Sequence, residues 1–186
     1  MDGTEVTLKR EEFSIRSHFQ NPTAPENYLA SVDLYQHVIY RCITGSQAYG
    51  LAEEDSDIDR RGIYLPPAEL HWSLFGIPDQ LEYDAEQETY WEIEKFIVLA
   101  LKANPNIMEC LFTPLVEHAT PLAQELLEMR QIFVSKLIYQ TYNGYVMSQF
   151  RKLRHHLENH GTIKWKHAMH LIRLLLSGIE TLQTGV

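Results

Sequence analysis

The chain has 186 residues, 45% of them hydrophobic and 22% charged, and a formal net charge of −9. That length predicts one domain, or one domain with a helical extension, and a chain near this size buries roughly 68–70% of its unfolded surface. Nine glycines and eight prolines exclude a collagen-like or Pro/Gly-rich chain, and 11% aromatic residues argue against intrinsic disorder. No stretch of 18 apolar residues occurs, so no transmembrane helix is expected, and the polar start MDGTEVTLKREEF does not read as a signal peptide. Cys42 and Cys110 both sit in apolar segments and fit buried thiols in a reducing compartment better than a disulfide framework. A soluble cytoplasmic protein is the expectation.

The charge is unevenly spread. Residues 1–150 hold ten Lys and Arg against 23 Asp and Glu, whereas residues 151–186 hold six against two. An acidic body followed by a basic section suggests carboxylates that hold metal in the first part and cations that hold phosphate or nucleic acid in the second. The plain alternative is an acidic surface that keeps the chain in solution.

In chain order, residues 1–27 are polar and broken by Asn21-Pro22 and Ala24-Pro25, which predicts an arm with little regular structure. A short helix is expected over 28–36. The β-branched and aromatic run from His37 to Ile43 predicts a strand that ends at Gly45-Ser46. A helical turn at 47–52 and an acidic loop, Glu53-Glu54-Asp55-Ser56, come next. The alternation from Asp57 to Leu65 predicts a second strand, stopped by Pro66-Pro67. Residues 68–85 read as a loop with a helical turn near 70–74, and 87–91 as a third strand. From Glu92 the period turns helical through Ile93, Phe96, Ile97, Ala100 and Leu101, with Asn104-Pro105 as the stop. Helices are expected over 106–112, 121–134, 136–158 and 163–182, the last two separated by Gly161. The layout is α+β: a small mixed sheet in a core at 28–115, then a helical region at 116–186.

Two short stretches carry chemistry. On a strand, Asp57 and Asp59 are two residues apart and point to one face. Paired carboxylates repel unless a cation sits between them, and oxygen-only ligands favour Mg²⁺ or Mn²⁺ over zinc. Upstream, Gly45 directly after a strand lets backbone N–H groups approach a phosphate, and Ser46 adds a hydroxyl donor. Taken singly, Gly-Ser is most often a turn and Asp-Ile-Asp a solvated strand face. Together, a phosphate cradle and two metal-binding acids about ten residues on make a candidate triphosphate site.

Gly45-Ser46 followed by Asp57-Ile58-Asp59 resembles the nucleotidyltransferase motif of the DNA polymerase β superfamily. The longer string GSQAYGLAEEDSDIDRRGIY is similar to its RNA ligase-associated branch. Two further stretches extend the resemblance: Lys95-Phe96 leading to Asn104-Pro105-Asn106 and Glu109-Cys110-Leu111, and Lys166-His167-Ala168-Met169-His170-Leu171-Ile172-Arg173-Leu174. The resemblance covers about residues 37–185. It implies a short mixed sheet flanked by helices, NTP and Mg²⁺ binding, and transfer of a nucleoside monophosphate to an acceptor hydroxyl. On its terms Gly45 and Ser46 hold the triphosphate and Asp57 and Asp59 bind metal. It also implies a third carboxylate on a neighbouring strand. Glu88 is the first candidate, as metal ligand or as base for the incoming hydroxyl, with Asp84 and then Glu86 behind it. The superfamily more often has Asp at that position, which bears on catalytic competence. Family members usually run on past this length, so a truncated chain is a further expectation.

The last predicted helix offers a second group. Lys166, His170 and Arg173 fall at i, i+4 and i+7 and share a face suited to triphosphate or an RNA backbone, with Ala168, Leu171, Leu175 and Ile179 expected to face the core. A solvated basic face is the competing reading. Tyr49 and Trp91 are candidates for stacking on a base, with core packing the commoner role. His155, His156 and His160 read as surface residues without zinc geometry. The expected activity is a metal-dependent nucleotidyltransferase with RNA as a possible acceptor and no membrane partner. The alternatives are an inactive nucleotide-binding protein or a toxin–antitoxin-like partner, and an overall acidic chain argues against tight nucleic-acid binding.

Overall fold

The computed structural model describes residues 32–53, 56–72, 76–83, 87–163 and 165–185, and of Lys166 only the backbone. The expected N-terminal arm, Asp84 and Glu86 lie outside the described residues.

Among the described residues, five strands form one mixed sheet in the order β3-β4-β2-β1-β5. They are β1 (Val38–Thr44), β2 (Asp59–Tyr64), β3 (Gln80–Tyr83), β4 (Glu88–Glu92) and β5 (Val116–Ala119). Only the β2–β4 pair is parallel, with Arg60 opposite Glu88 and Ile63 opposite Trp91; β1–β2, β1–β5 and β3–β4 are antiparallel. Among the described residues the helices are α1 (Gly45–Ala48), α2 (Ala68–His71), α3 (Ile93–Leu101), α4 (Pro105–Phe112), α5 (Pro121–Glu128), α6 (Leu137–His160) and α7 (Trp165–Thr184). A 3₁₀ turn, Leu34–His37, leads into β1, and another, Arg130–Phe133, follows α5.

Alternation along the strands sends neighbouring side chains to opposite sheet faces. Tyr40, Cys42, Ile63 and Trp91 point to one face and join Phe96, Ile107, Leu111, Ile138 and Tyr142 from the helices in the main core. Trp91 is therefore core rather than a stacking platform. Tyr64, Leu81 and Tyr90 line the other face in a smaller cluster with Leu34 and Leu70. The Tyr40 hydroxyl donates to the Cys110 carbonyl at 2.6 Å and pins α4 under β1. Both cysteines are buried free thiols. Gly62 is fixed by crowding: a Cβ there would collide with the Tyr40 carbonyl oxygen and stand 2.8 Å from its carbon.

The sheet runs past residue 115, because β5 pairs with β1, and α5 and α6 share its core. Asn104 starts a helix rather than stopping one: its side chain accepts from the N–H groups of Asn106 and Ile107 and caps α4, with Pro105 in the first turn. Gly161, at φ +66°, ends α6 in the left-handed conformation. Along α7 the inward side differs from the expected one. Leu174 is buried and His170, Leu171, Arg173 and Ser177 are half-buried, whereas Leu175 and Ile179 are 41% and 50% exposed. The face that carries His170 and Arg173 is the one turned inward.

Candidate functional site

A cleft of about 780 Å³ opens between the C-terminal end of β1, the start of β2 and the inward face of α7. One wall holds Gly45, Ser46, Ser56, Asp57, Asp59 and Arg61; the other holds His167, His170 and Arg173, with Glu109 at the base. The sequence-predicted Gly45, Ser46, Asp57, Asp59, His170 and Arg173 are thus brought to one place.

The wall of acids is built by local rules. Strand β2 begins at Asp59, so Asp57 lies in the loop before it rather than on the strand. The Ser56 hydroxyl accepts from the Glu53 N–H at 2.8 Å, and the Ser56 N–H donates to the Glu53 carbonyl at 3.0 Å, which closes that loop. Asp59 and Arg61, two apart on β2, share a face, and the Arg61 guanidinium donates to Asp59 Oδ1 at 3.1 Å. The Asp59 counter-charge is therefore Arg61, and its second oxygen, Oδ2, lies over the Gly45 Cα, where a Cβ would collide with it.

Gly45 sits at φ +71°, in the left-handed region where L side chains are strained. Its N–H donates to Glu109 Oε1 at 2.8 Å. The other oxygen of Glu109 accepts from Arg173 at 3.3 Å, and both side chains are less than a fifth exposed. Burial pushes the Glu109 carboxyl up from its ordinary range, while Arg173 and the Gly45 N–H pull it back and Asp59 adds to the rise. Arg173 also approaches His170 Nδ1 at 3.1 Å and lies over the Tyr49 ring, 4.5 Å from its centroid. Burial lowers the His170 pKa, and the charges of Arg173 and His167 lower it further. Tyr49 is thus an aromatic rest for Arg173, behind the cleft rather than in it. Burial raises its phenol, with Glu109 adding and Ser177 and Arg173 opposing.

Glu88 is placed elsewhere. The parallel register sets it beside Arg60, on the sheet face opposite Asp59 and Arg61. There it accepts from the Tyr90 hydroxyl at 2.8 Å and faces Arg60 at 3.9 Å. Among the described residues, the carboxylate brought to the cleft from outside β2 and its loop is Glu109. The sequence carried it only inside the stretch from Lys95 to Leu111. Its signal was position: it lies four residues past Pro105, on the same side of α4 as Met108 and Phe112. Lys95 reaches Gln80 at 3.3 Å and Asp79 at 3.9 Å.

Among the described residues no three His, Cys, Asp or Glu side chains cluster as a metal cage. The donor set still fits Mg²⁺, which is commonly held by one or two carboxylates with waters and substrate phosphates completing its shell. Asp57 and Asp59 are two carboxylates on the cleft wall, with the Ser56 hydroxyl next to Asp57 in sequence.

Over residues 15–186 the sequence matches the RNA repair pathway DNA polymerase beta family (RlaP), and the chain belongs to that family. A protein of Bacillus subtilis (strain 168), described as "Uncharacterized protein YcgL", is 33% identical over 97 residues. That match covers 50% of this chain and 37% of the relative. No solved structure matches the chain. Among the described residues no helix is long and apolar enough to cross a membrane.

Proposed function

We propose that this chain is a metal-dependent nucleotidyltransferase that moves a nucleoside monophosphate from an NTP to an acceptor hydroxyl, with an RNA end as the acceptor class. The observation that carries the reading is the meeting of Ser46, Asp57 and Asp59 on one wall of the cleft with His170 and Arg173 on the other. Membership in a polymerase-β-like RNA repair family supports it.

Asp57 and Asp59 would hold Mg²⁺, or Mn²⁺, which when bound neutralises charge on the phosphates and on the leaving pyrophosphate. The chain's own residues do the rest. Arg61 fixes the Asp59 carboxylate so that one oxygen stays on the cleft side. The Ser46 hydroxyl donates to a phosphate oxygen. Arg173, and His170 when protonated, would supply positive charge from the opposite wall. Gly45 contributes space for Asp59 rather than a donor, since its single N–H is taken by Glu109. In the transfer the acceptor hydroxyl gives its proton to a carboxylate of the cleft or to water, its oxygen attacks the α-phosphorus, the bond to the bridging oxygen of the β-phosphate breaks, and pyrophosphate leaves. Most of the acceleration comes from position and electrostatics. Asp84 and Glu86 keep their place as candidates for the third acid.

The test is titration of ATP, GTP, CTP and UTP, with and without Mg²⁺, on wild type and on the Asp57→Ala/Asp59→Ala double variant, followed by transfer of labelled NMP to an RNA end. Mg²⁺-dependent binding and transfer lost in the double variant support the reading. Absence of NTP binding by wild type overturns it. Glu88 on the far face of the sheet favours one second reading, a nucleotide-binding protein with weak or no transfer. Binding without transfer is its outcome.

A further inference from the structure

Behind the Glu109–Arg173 pair lies a second cavity, of about 250 Å³. Tyr49, Met108, Phe112 and Leu174 give it apolar and aromatic walls, and Ser177 and Thr181 of α7 place hydroxyls at its edge. Glu109 and Arg173 line both this cavity and the large cleft, so the ion pair is a party wall between the two spaces.

The lining limits the occupant. Two carboxylates, Glu109 and Glu180, line the cavity against one cation, Arg173, so its lining carries more negative than positive charge. An anion would meet repulsion there, whereas a neutral flat ring would meet matching walls. Thr181 donates its hydroxyl hydrogen to the Ser177 carbonyl at 2.8 Å, which leaves its oxygen to accept from a ring N–H. The volume is below the ~300–1,000 Å³ of sites that take a whole small ligand. The occupant is therefore part of a molecule whose remainder lies next door. Helix α1 joins the two spaces: Gly45 and Ser46 at its start line the cleft, and Ala48 and Tyr49 at its end line the cavity. At ~1.5 Å per residue those ends are about 6 Å apart along the axis.

We propose that this cavity is the nucleobase subsite of the molecule whose phosphates occupy the cleft. The substrate straddles the Glu109–Arg173 wall, its phosphates beside Ser46, Asp57 and Asp59 and its base against Tyr49, Met108 and Leu174. The proposal rests on the reading of the cleft as an NTP site, and the test separates the two.

Calorimetric titration with Mg²⁺ present compares the four NTPs with inorganic tripolyphosphate, which carries the same phosphates and no base. Wild type is expected to bind its best NTP at least about tenfold more tightly than tripolyphosphate, as stacking of one base supplies. Ser177→Leu, which fills the cavity from α7, is expected to remove that advantage and leave tripolyphosphate binding unchanged. Equal affinity of wild type for NTPs and tripolyphosphate overturns the base subsite and leaves the cleft reading standing. Loss of NTP and tripolyphosphate binding in the same proportion in Ser177→Leu overturns it too. Absence of both ligands from wild type overturns the cleft reading and this one with it. Should Ser177→Leu fail to fold, Ser177→Ala and Thr181→Val decide: a changed ranking of the four bases supports the subsite, and an unchanged ranking overturns it.

Discussion

Replacement of Gly45 by alanine separates backbone strain from the contact with Asp59, because Gly50 provides the control. Both glycines have left-handed φ values, +71° and +65°. A Cβ at Gly50 meets nothing within 4 Å, whereas at Gly45 it collides with Asp59 Oδ2 and lies 3.3 Å from Asp59 Cγ. The left-handed conformation costs an L residue roughly 1–2 kcal/mol. Stiffening of the unfolded chain returns roughly 0.4–1 kcal/mol. Gly50→Ala is thus expected to lose about 1 kcal/mol or less, a Tm fall of about 2–4 °C at this chain length. Gly45→Ala adds rotation of Asp59 away from its rotamer, roughly 0.5–1.5 kcal/mol, and loss of its partly exposed pair with Arg61, roughly 0–1 kcal/mol. The total is about 1–3 kcal/mol, a Tm fall of about 2–12 °C. Thermal unfolding by circular dichroism reads the stability, and titration with Mg²⁺-NTP reads the site. Gly45→Ala is expected to lose nucleotide binding while Gly50→Ala keeps it. Equal Tm losses, or wild-type nucleotide affinity in Gly45→Ala, would refute the argument that Asp59 needs the bare Cα.

The Glu109–Arg173 pair is expected to show a coupling of about 1–3 kcal/mol in a double-mutant cycle of Glu109→Ala and Arg173→Ala, read by chemical denaturation; a coupling near zero would mean that α7 is held by packing alone. Lowering of the His170 pKa on folding means the unfolded state binds the proton more tightly, so stability is full above the unfolded value near 6.5 and declines as pH falls through the folded value. His170→Gln should accordingly lose less stability than wild type between pH 7.5 and 5, and parallel curves for the two would contradict this. Glu88→Gln, on the far sheet face, is expected to cost stability through its Tyr90 and Arg60 partners and leave nucleotide affinity unchanged; a collapse of binding without unfolding would place Glu88 at the site after all.

The strands and helices with strong periodicity were legible in the sequence. β1, β2 and β4 have β-branched and aromatic residues facing a core, and the helical stretches from Ile93 onward follow their apolar spacing. The two strands that went unread, β3 and β5, are the edges of the sheet. Edge strands bury one side at most: three of the four residues of β5 are exposed, and β3 buries only Leu81, so neither carries an alternating pattern. The acids of the cleft were legible because Asp57, Asp59 and Gly45-Ser46 form a local motif. Glu88 was misplaced because its face depends on parallel register with β2, a fact of pairing that one strand's sequence does not hold. The role of Glu109 was invisible for the same kind of reason: its partners, Gly45 and Arg173, each lie 64 residues away, on either side of it. The inward turn of α7 was misjudged because its leucines and isoleucines cover nearly the whole circumference. There Gly178 decides, since it sits against the Tyr142 ring of α6 with no room for a Cβ.

The cleft is assembled from opposite ends of the described chain, with Gly45 and Asp59 on one wall and Arg173 on the other. During synthesis it cannot exist until α7 has emerged and docked, however early the sheet forms. Any ligand that needs both walls binds only the docked arrangement and stabilises it by mass action, by roughly 2.7 kcal/mol at a hundred times its dissociation constant. If the cleft takes a nucleotide, that nucleotide would also be a structural strut between the two walls.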